Sequence, residues 1–159
     1  MRNTEKQKKI SIGVEDFKTL IDWNGYFVDK TLMIRDLIEN HAMVTLFTRP
    51  RRFGKTLNQF MIRRFFEDEI TEKGEKVDNG YLFDGLAITR CGEEILQHQQ
   101  RYPVIFMSLK SAKQDSYDMA YASLIDEISK EFKRHAYLLQ GESLSPKEKQ
   151  EFQLVMDKE

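Results

Sequence analysis

An α/β fold is predicted by three consecutive features in the first half of the chain. The run 43–47, Met-Val-Thr-Leu-Phe, is short and apolar, as buried strands are. The next residues, 48–56, read Thr-Arg-Pro-Arg-Arg-Phe-Gly-Lys-Thr. Apolar residues then return at helical spacing, at Leu57, Phe60, Met61 and Phe65. A strand, a basic loop and a helix are therefore expected to follow one another.

The loop between this strand and this helix has the residues of a phosphate-binding P-loop. That motif places a glycine, four further residues and then Gly-Lys-Ser/Thr between a strand and a helix. Gly54, Lys55 and Thr56 match it, whereas Arg49 stands where the first glycine is expected. Pro50 removes one N–H donor and favours an extended backbone at Arg49. We therefore predict an α/β, P-loop NTPase-like three-layer sandwich.

Each position of such a loop has a chemical task. Gly54 has no Cβ, so phosphate can come close to the backbone. Lys55 is the predicted catalytic residue, which reaches the β- and γ-phosphates, and the Thr56 hydroxyl is predicted to bind Mg²⁺. The predicted nucleotide-binding residues of the loop are Arg49, Pro50, Arg51, Arg52, Phe53, Gly54, Lys55, Thr56 and Leu57. In the alternative interpretation, the arginines form a basic surface turn that contacts nucleic acid or an acidic partner.

Residues 49–57, Arg-Pro-Arg-Arg-Phe-Gly-Lys-Thr-Leu, resemble the P-loop of the bacterial and archaeal predicted AAA-ATPase, or AAA-ATPase-like, family. Arginine at the first glycine position is normal in that family. Four other segments resemble it in residue type and order: 12–17, 25–31, 82–86 and 102–105. The resemblance extends from about residue 10 to about residue 109 and is weaker beyond.

The resemblance implies an ATPase of the large AAA-related class, with ATP and Mg²⁺ as cofactors. In AAA-related ATPases a segment before the first strand often packs on the adenine, which would assign that role to Phe27 and Val28. A second interpretation remains open, in which the aromatic residues belong to the core and Asp29 or Thr31 caps the next helix. Family members often carry a C-terminal nuclease-like domain of the PD-(D/E)XK type, and no such residue set lies on a predicted strand here.

Periodicity and turn residues predict the remaining elements in order. Residues 1–9 are expected to be a disordered N-terminus, and residues 10–159 one partial P-loop domain. Helices are predicted at 13–21, 31–40, about 55–69, 92–99, 116 to about 139, and from Pro146 onward after the N-cap Ser145. A second strand is predicted at 103–109.

The acidic strand that normally completes such an ATPase has one candidate, at Asp126 and Glu127. Because residues 116–135 keep helical period throughout, we predict a solvated helix face there instead. The sandwich is therefore expected to be truncated before that strand. In this class strands three and four lie between strands one and two, so 43–47 and 103–109 would have exposed edges. We expect a truncated product, an altered sheet, or completion by a homo-oligomer or a strand-completing partner.

Composition limits the classes of function. A length of 159 residues with 40% hydrophobic residues suits one domain with a real core. The net charge of −1 provides no general attraction for nucleic acid or membrane. The single Cys91 excludes an internal disulfide and fits a reducing compartment. No apolar run reaches the ~18 residues of a transmembrane helix, so we expect a cytoplasmic protein.

The predicted function is Mg-ATP binding through residues 49–57. Hydrolysis by this chain alone is doubtful, because no acidic pair is in place to anchor Mg²⁺ and orient water. One rival is an active ATPase that uses Asp126, Glu127 or acids from a partner subunit. The other is a non-enzymatic remnant or interaction module whose basic loop contacts nucleic acid or protein.

Overall fold

The computed structural model describes residues 8–71 and 73–158, and helices dominate this part of the chain. Helix accounts for 49% of the residues and strand for 4%. The α-helices are α1 (Phe17–Asp22), α2 (Leu32–Asn40), α3 (Lys55–Phe66), α4 (Glu93–Leu96), α5 (Tyr117–Arg134) and α6 (Pro146–Asp157). Three 3₁₀ helices span Gly80–Phe83, Ala87–Arg90 and Ala136–Gln140. None of the described helices combines the length and the apolar character needed to cross a membrane.

The predicted α/β three-layer sandwich is wrong. Within residues 8–71 and 73–158 the β-type pairings are isolated bridges, Lys9 with Gly25, Glu67 with Tyr102 and Ile70 with Lys76, and they form no sheet. The two predicted strands, 43–47 and 103–109, therefore lack strand neighbours in the part of the chain described here.

The exposure of the first predicted strand, 43–47, shows why the predicted sheet does not form. Val44 is 85% exposed and Leu46 is 81% exposed, although both side chains were expected to be buried. A strand is stabilised by backbone and side-chain contacts from another strand, which is often distant in sequence. The apolar pattern of a segment describes only that segment, so it cannot predict whether another strand is present to pair with it.

Residue contacts divide the chain into two compact units. Unit 1 contains the described residues of Met1–Asp68 together with Asp78–Pro103, and unit 2 those of Glu69–Val77 and Val104–Glu159. The segment predicted to be disordered, 1–9, lies outside the described residues except for its last two. Of these, Lys9 donates its N–H to the carbonyl oxygen of Asn24 at 3.2 Å and accepts a hydrogen bond from the N–H of Tyr26 at 2.7 Å.

The core of unit 1 is aromatic. Phe17 of α1 and Phe65 of α3 both pack on Phe83, with ring centroids 5.3 and 5.4 Å apart. All three rings are buried, and Met61 of α3 is buried with them. Asp16 begins α1 by accepting a hydrogen bond from the N–H of Thr19 at 2.7 Å. The buried second half of α3 thus anchors that helix and positions its first turn.

Unit 2 is built on α5 and α6. Phe132 and Phe152 pack with centroids 4.6 Å apart, and the Ser129 hydroxyl donates to the carbonyl oxygen of Met156 at 2.7 Å. The predicted N-cap of α6 is confirmed, because Ser145 and Glu148 form a reciprocal capping box with Pro146 at the first position.

The acidic pair at 126–127 lies within α5, so the prediction of a helix rather than an acidic strand is confirmed. Asp126 pairs with Lys158 at 2.6 Å, and Glu127 pairs with Lys130 at 3.0 Å. Both carboxylates therefore have partners within unit 2.

Side chains of α5 hold the second predicted strand. The carboxylate of Glu131 accepts a hydrogen bond from the N–H of Phe106 at 2.7 Å, and Arg134 donates to the carbonyl oxygen of Val104. These are bonds that a neighbouring strand would provide in a sheet. Glu131 and Arg134, which we call the α5 clamp, thus provide hydrogen-bond partners for backbone groups of 104–106 in place of a neighbouring strand.

Candidate functional site

The basic loop, residues 48–54, leads directly into α3. Gly54 precedes the helix with a φ of 71°, in the left-handed region that suits glycine. Arg52 also has a positive φ, 67°, which costs a residue with a Cβ about 1–2 kcal/mol. The chain therefore turns sharply twice immediately before Lys55.

The first turn of α3 has free donors. The first intrahelical bond runs from the N–H of Asn58 to the carbonyl oxygen of Gly54, at 2.9 Å. The N–H groups of Lys55, Thr56 and Leu57 precede that bond and make no hydrogen bond within the described residues. Such a helix start attracts anions through its N–H groups and its dipole.

Positive charge surrounds this helix start. The side chains of Arg49, Arg51, Arg52 and Lys55 are all exposed. None of the four forms a salt bridge with a carboxylate in residues 8–71 or 73–158. The loop therefore presents uncompensated cations beside the open N–H groups, which is the electrostatic requirement for holding a polyanion.

The Lys55 ammonium is turned back onto its own loop. Its Nζ donates hydrogen bonds to the carbonyl oxygens of Arg49 and Pro50, the second at 3.0 Å. Both acceptors are neutral, and a phosphate oxygen is a stronger acceptor for an ammonium than a carbonyl. The ammonium can thus exchange its present partners for an anion at the same place.

A cleft of about 730 Å³ opens beside the basic loop. Its walls are α2, the segment 42–47 and α3, and Arg49, Phe53 and Lys55 line the end nearest the loop. The volume falls within the range of about 300–1,000 Å³ that is usual for small-molecule sites. We call this feature the loop cleft.

The structure brings only part of the predicted binding set to the loop cleft. Arg49, Phe53 and Lys55 line it, and Phe53 is exposed. The side chain of Leu57 packs against the core of unit 1 instead. The other predicted loop residues stay near the helix start without lining the cleft: Pro50, Arg51, Arg52, Gly54 and Thr56.

The predicted adenine segment lies elsewhere in unit 1. Phe27 packs edge-on against Phe17 with centroids 5.2 Å apart, so its ring belongs to the core. Val28 is 60% exposed. Neither residue is among those that line the loop cleft.

Asp29 has a backbone role beside this segment. Its carboxylate accepts hydrogen bonds from the N–H and hydroxyl of Thr31, at 2.9 and 2.7 Å, and from the N–H of Ala87, at 2.7 Å. Burial opposes the charged form, but these hydrogen bonds outweigh it and hold the pKa of Asp29 below its ordinary value. Asp29 thus ties the start of α2 to the 3₁₀ helix at Ala87–Arg90.

Three side-chain amides in the loop cleft were not predicted from the sequence. Asn40 comes from the last turn of α2, and Asn58 and Gln59 come from α3. Their amides make no hydrogen bond within the described residues. The available signal was their helical spacing, since Asn58 lies three residues after Lys55 and therefore on the same side of α3.

The chain belongs to the AAA-ATPase-like family, whose description is "Predicted AAA-ATPase", and the family model matches residues 11–157. This match confirms the resemblance that the loop and its flanking segments indicated. Membership suggests nucleotide binding, with ATP as the nucleotide. No curated protein and no solved structure matches the chain significantly.

Proposed function

We propose that this protein binds Mg-ATP at the basic loop and the first turn of α3. The observation that carries the proposal is that Lys55, three exposed arginines and three free helix N–H groups all lie within residues 49–57, where Arg49 and Lys55 line the loop cleft. A triphosphate needs several donors and cations that reach it from one side.

The residues present suit this ligand. Apart from Gly54 and its two chain neighbours, no atom of the described residues lies within 4 Å of the Cβ position that Gly54 lacks, so a phosphate oxygen has room at the turn. Lys55 would bind the terminal phosphates after leaving the carbonyl oxygens of Arg49 and Pro50, and the Thr56 hydroxyl would be a ligand of Mg²⁺. One protein ligand is compatible with Mg²⁺, which keeps several water molecules and takes oxygens from the phosphates.

Binding without rapid turnover is the expected behaviour. In unit 1 the loop cleft is lined by one carboxylate, Asp36, which is engaged by the guanidinium of Arg35 at 2.7 Å. Activation of a water molecule in phosphoryl transfer requires a group that orients it beside the metal. We therefore propose a nucleotide-binding protein in which hydrolysis depends on acids that the described residues of unit 1 do not place at the loop.

Calorimetric titration of the chain with Mg-ATP tests the proposal. Lys55→Ala should weaken binding by at least about tenfold, since a hydrogen bond to a charged group contributes about 1.5–3 kcal/mol. Lys147→Ala is the matched control, because it removes an equally charged, exposed lysine of α6. Equal affinity of the Lys55 variant and the control, or no binding by the folded wild-type chain, would refute the proposal.

The uncompensated arginines favour a second candidate, an interaction module in which the basic loop contacts nucleic acid. Binding of that kind would weaken steeply as salt rises, because phosphate contacts release counterions. Titration of a labelled oligonucleotide at two salt concentrations, with and without Mg-ATP, separates the candidates. Oligonucleotide binding that nucleotide leaves unchanged favours the module, and competition by Mg-ATP favours the nucleotide site.

The exposed segment 43–47 supports a proposal about partners. Its apolar side chains are open to solvent and its backbone has no β-pairing within the described residues. We propose that a strand from another polypeptide chain pairs with it, since unpaired strand edges recruit strands. If that chain is a second copy of this protein, Val44→Lys should lower the oligomer mass measured by light scattering, and a monomer in both proteins would contradict pairing between copies.

A further inference from the structure

The lining of the loop cleft is both charged and apolar. Lys55 and Arg49 line it at the basic loop, and Met33, Leu37 and Ile62 contribute apolar walls. Lys30 and Asp36 also line it. Ile62 is seven residues after Lys55, so the cleft follows α3 for roughly 10 Å at 1.5 Å per residue. A mononucleotide has the same division, since a polyanionic phosphate chain is joined through ribose to a flat base with apolar faces.

Asn58 stands between Lys55 and Ile62 along α3. It lies one helical turn beyond Lys55, lines the cleft and is half-buried. Its side-chain amide makes no hydrogen bond within the described residues. An amide presents a donor and an acceptor side by side, and it pairs with the adjacent amino group and ring nitrogen of adenine. A half-buried amide without a protein partner is therefore available to a ligand in the cleft.

We propose that the loop cleft holds the adenine base of the bound nucleotide and that Asn58 reads its hydrogen-bonding edge. The inference rests on the proposed function, because the triphosphate at the basic loop places the base. Met33 and Leu37 of α2 cover one face of the base, and Ile62 of α3 contributes to the facing wall. Asn58 is a specificity-determining residue, and Lys55 remains the phosphate ligand.

This assignment differs from the one at Phe27 and Val28. The ring of Phe27 is already packed on Phe17, so stacking on a base would require it to leave the core. Val28 is exposed and does not line the loop cleft. The cleft, by contrast, begins at Lys55 and needs no rearrangement of the core.

Calorimetry with three magnesium-loaded ligands, ATP, GTP and tripolyphosphate, tests the base site. Asn58→Leu keeps the approximate size of the side chain, does not lower the helix propensity and removes the amide. It should lower the ratio of ATP to GTP affinity about tenfold, within the range of a bidentate amide–base pair. Tripolyphosphate affinity should stay within about twofold, because the phosphate donors are untouched. Gln150→Leu, at an exposed amide of α6, is the control variant and should leave all three affinities unchanged.

The outcomes separate the two proposals. If the wild-type chain binds neither ATP nor tripolyphosphate, the proposed function fails and the base site fails with it. If tripolyphosphate binds but Asn58→Leu leaves the ratio of ATP to GTP affinity unchanged, only the base site is overturned. Photo-crosslinking with 8-azido-ATP adds a second readout that does not depend on a variant. Labelled peptides from 33–47 or 53–62 support the site, and labelling confined to 23–28 overturns it.

Discussion

Glu131 is the residue of unit 2 whose replacement should be most informative about the fold. Its side chain is only 10% exposed, and it accepts the N–H of Phe106 at 2.7 Å while pairing with Arg134. Glu131→Ala removes both of these interactions, whereas the hydrogen bond from Arg134 to the carbonyl oxygen of Val104 does not involve Glu131. The substitution also leaves the N–H of Phe106 without this acceptor.

The magnitude follows from these contacts. An unsatisfied, partly buried backbone donor costs about 1–3 kcal/mol. Loss of the ion pair with Arg134, whose side chain is 23% exposed, adds about 1 kcal/mol, the upper end of the range for surface pairs. We therefore expect Glu131→Ala to lower the free energy of unfolding by about 2–4 kcal/mol, measured by urea denaturation followed by circular dichroism.

The neighbouring Glu127 provides the control for Glu131. It lies one turn earlier on α5 and pairs with Lys130, whose side chain is 69% exposed, so the pair should contribute at most about 0.5 kcal/mol. Both alanine variants change charge and helix propensity alike, so their difference isolates the clamp. Equal destabilisation of the two variants would show that Glu131 does not hold residues 104–106.

Three further predictions concern single contacts. Asp29→Asn should lower the free energy of unfolding by about 1–2 kcal/mol at neutral pH, because two backbone N–H groups lose a charged acceptor. Since the pKa of Asp29 is depressed in the folded state, its contribution is present above the ordinary carboxyl pKa of 3.8 and is lost as the pH falls below it. The wild-type and Asp29→Asn unfolding curves should therefore converge in acid, and a constant gap would contradict the hydrogen bonds. Phe83→Ala, which empties a fully buried position between two rings, should cost about 3–5 kcal/mol in the same denaturation assay, whereas exposed Phe53→Ala should cost less than 1 kcal/mol. Ser145→Ala should cost about 1 kcal/mol through the capping box, and amide exchange in the first turn of α6 should become faster. Exchange at the wild-type rate there would show that the cap is not formed in solution.

The helical segments could largely be predicted from the sequence, although the start of α1 and the ends of α3, α4 and α5 lie three to five residues from their predicted positions. The apolar spacing after Ser116 predicted a helix through Asp126 and Glu127, and the structure contains it as α5. Ser145 followed by Pro146 predicted the start of α6, and both residues take the expected positions. These predictions succeed because a helix closes its hydrogen bonds within a few residues, so a short window contains most of the information.

The contacts around the candidate site could be predicted only in part. Gly54 and Lys55 were recognisable because the motif is contiguous, and the turn at Gly54 requires a positive φ that glycine adopts easily. The loop cleft was not recognisable, since Met33 and Asn58 meet there from two helices separated by the loop. Nor could the bond from Ala87 to Asp29 be predicted, because it joins residues 58 positions apart.

By itself, the sequence determined the family, the helical segments and the residues of the basic loop, all of which depend on local patterns. Only the tertiary structure decided that residues 43–47 remain without a strand partner and that Glu131 takes the place of one at Phe106. The physical reason is the same in both cases. The hydrogen bonds of a strand are made with chain that lies elsewhere in the sequence, so its local pattern predicts the need for a partner but not which group meets it.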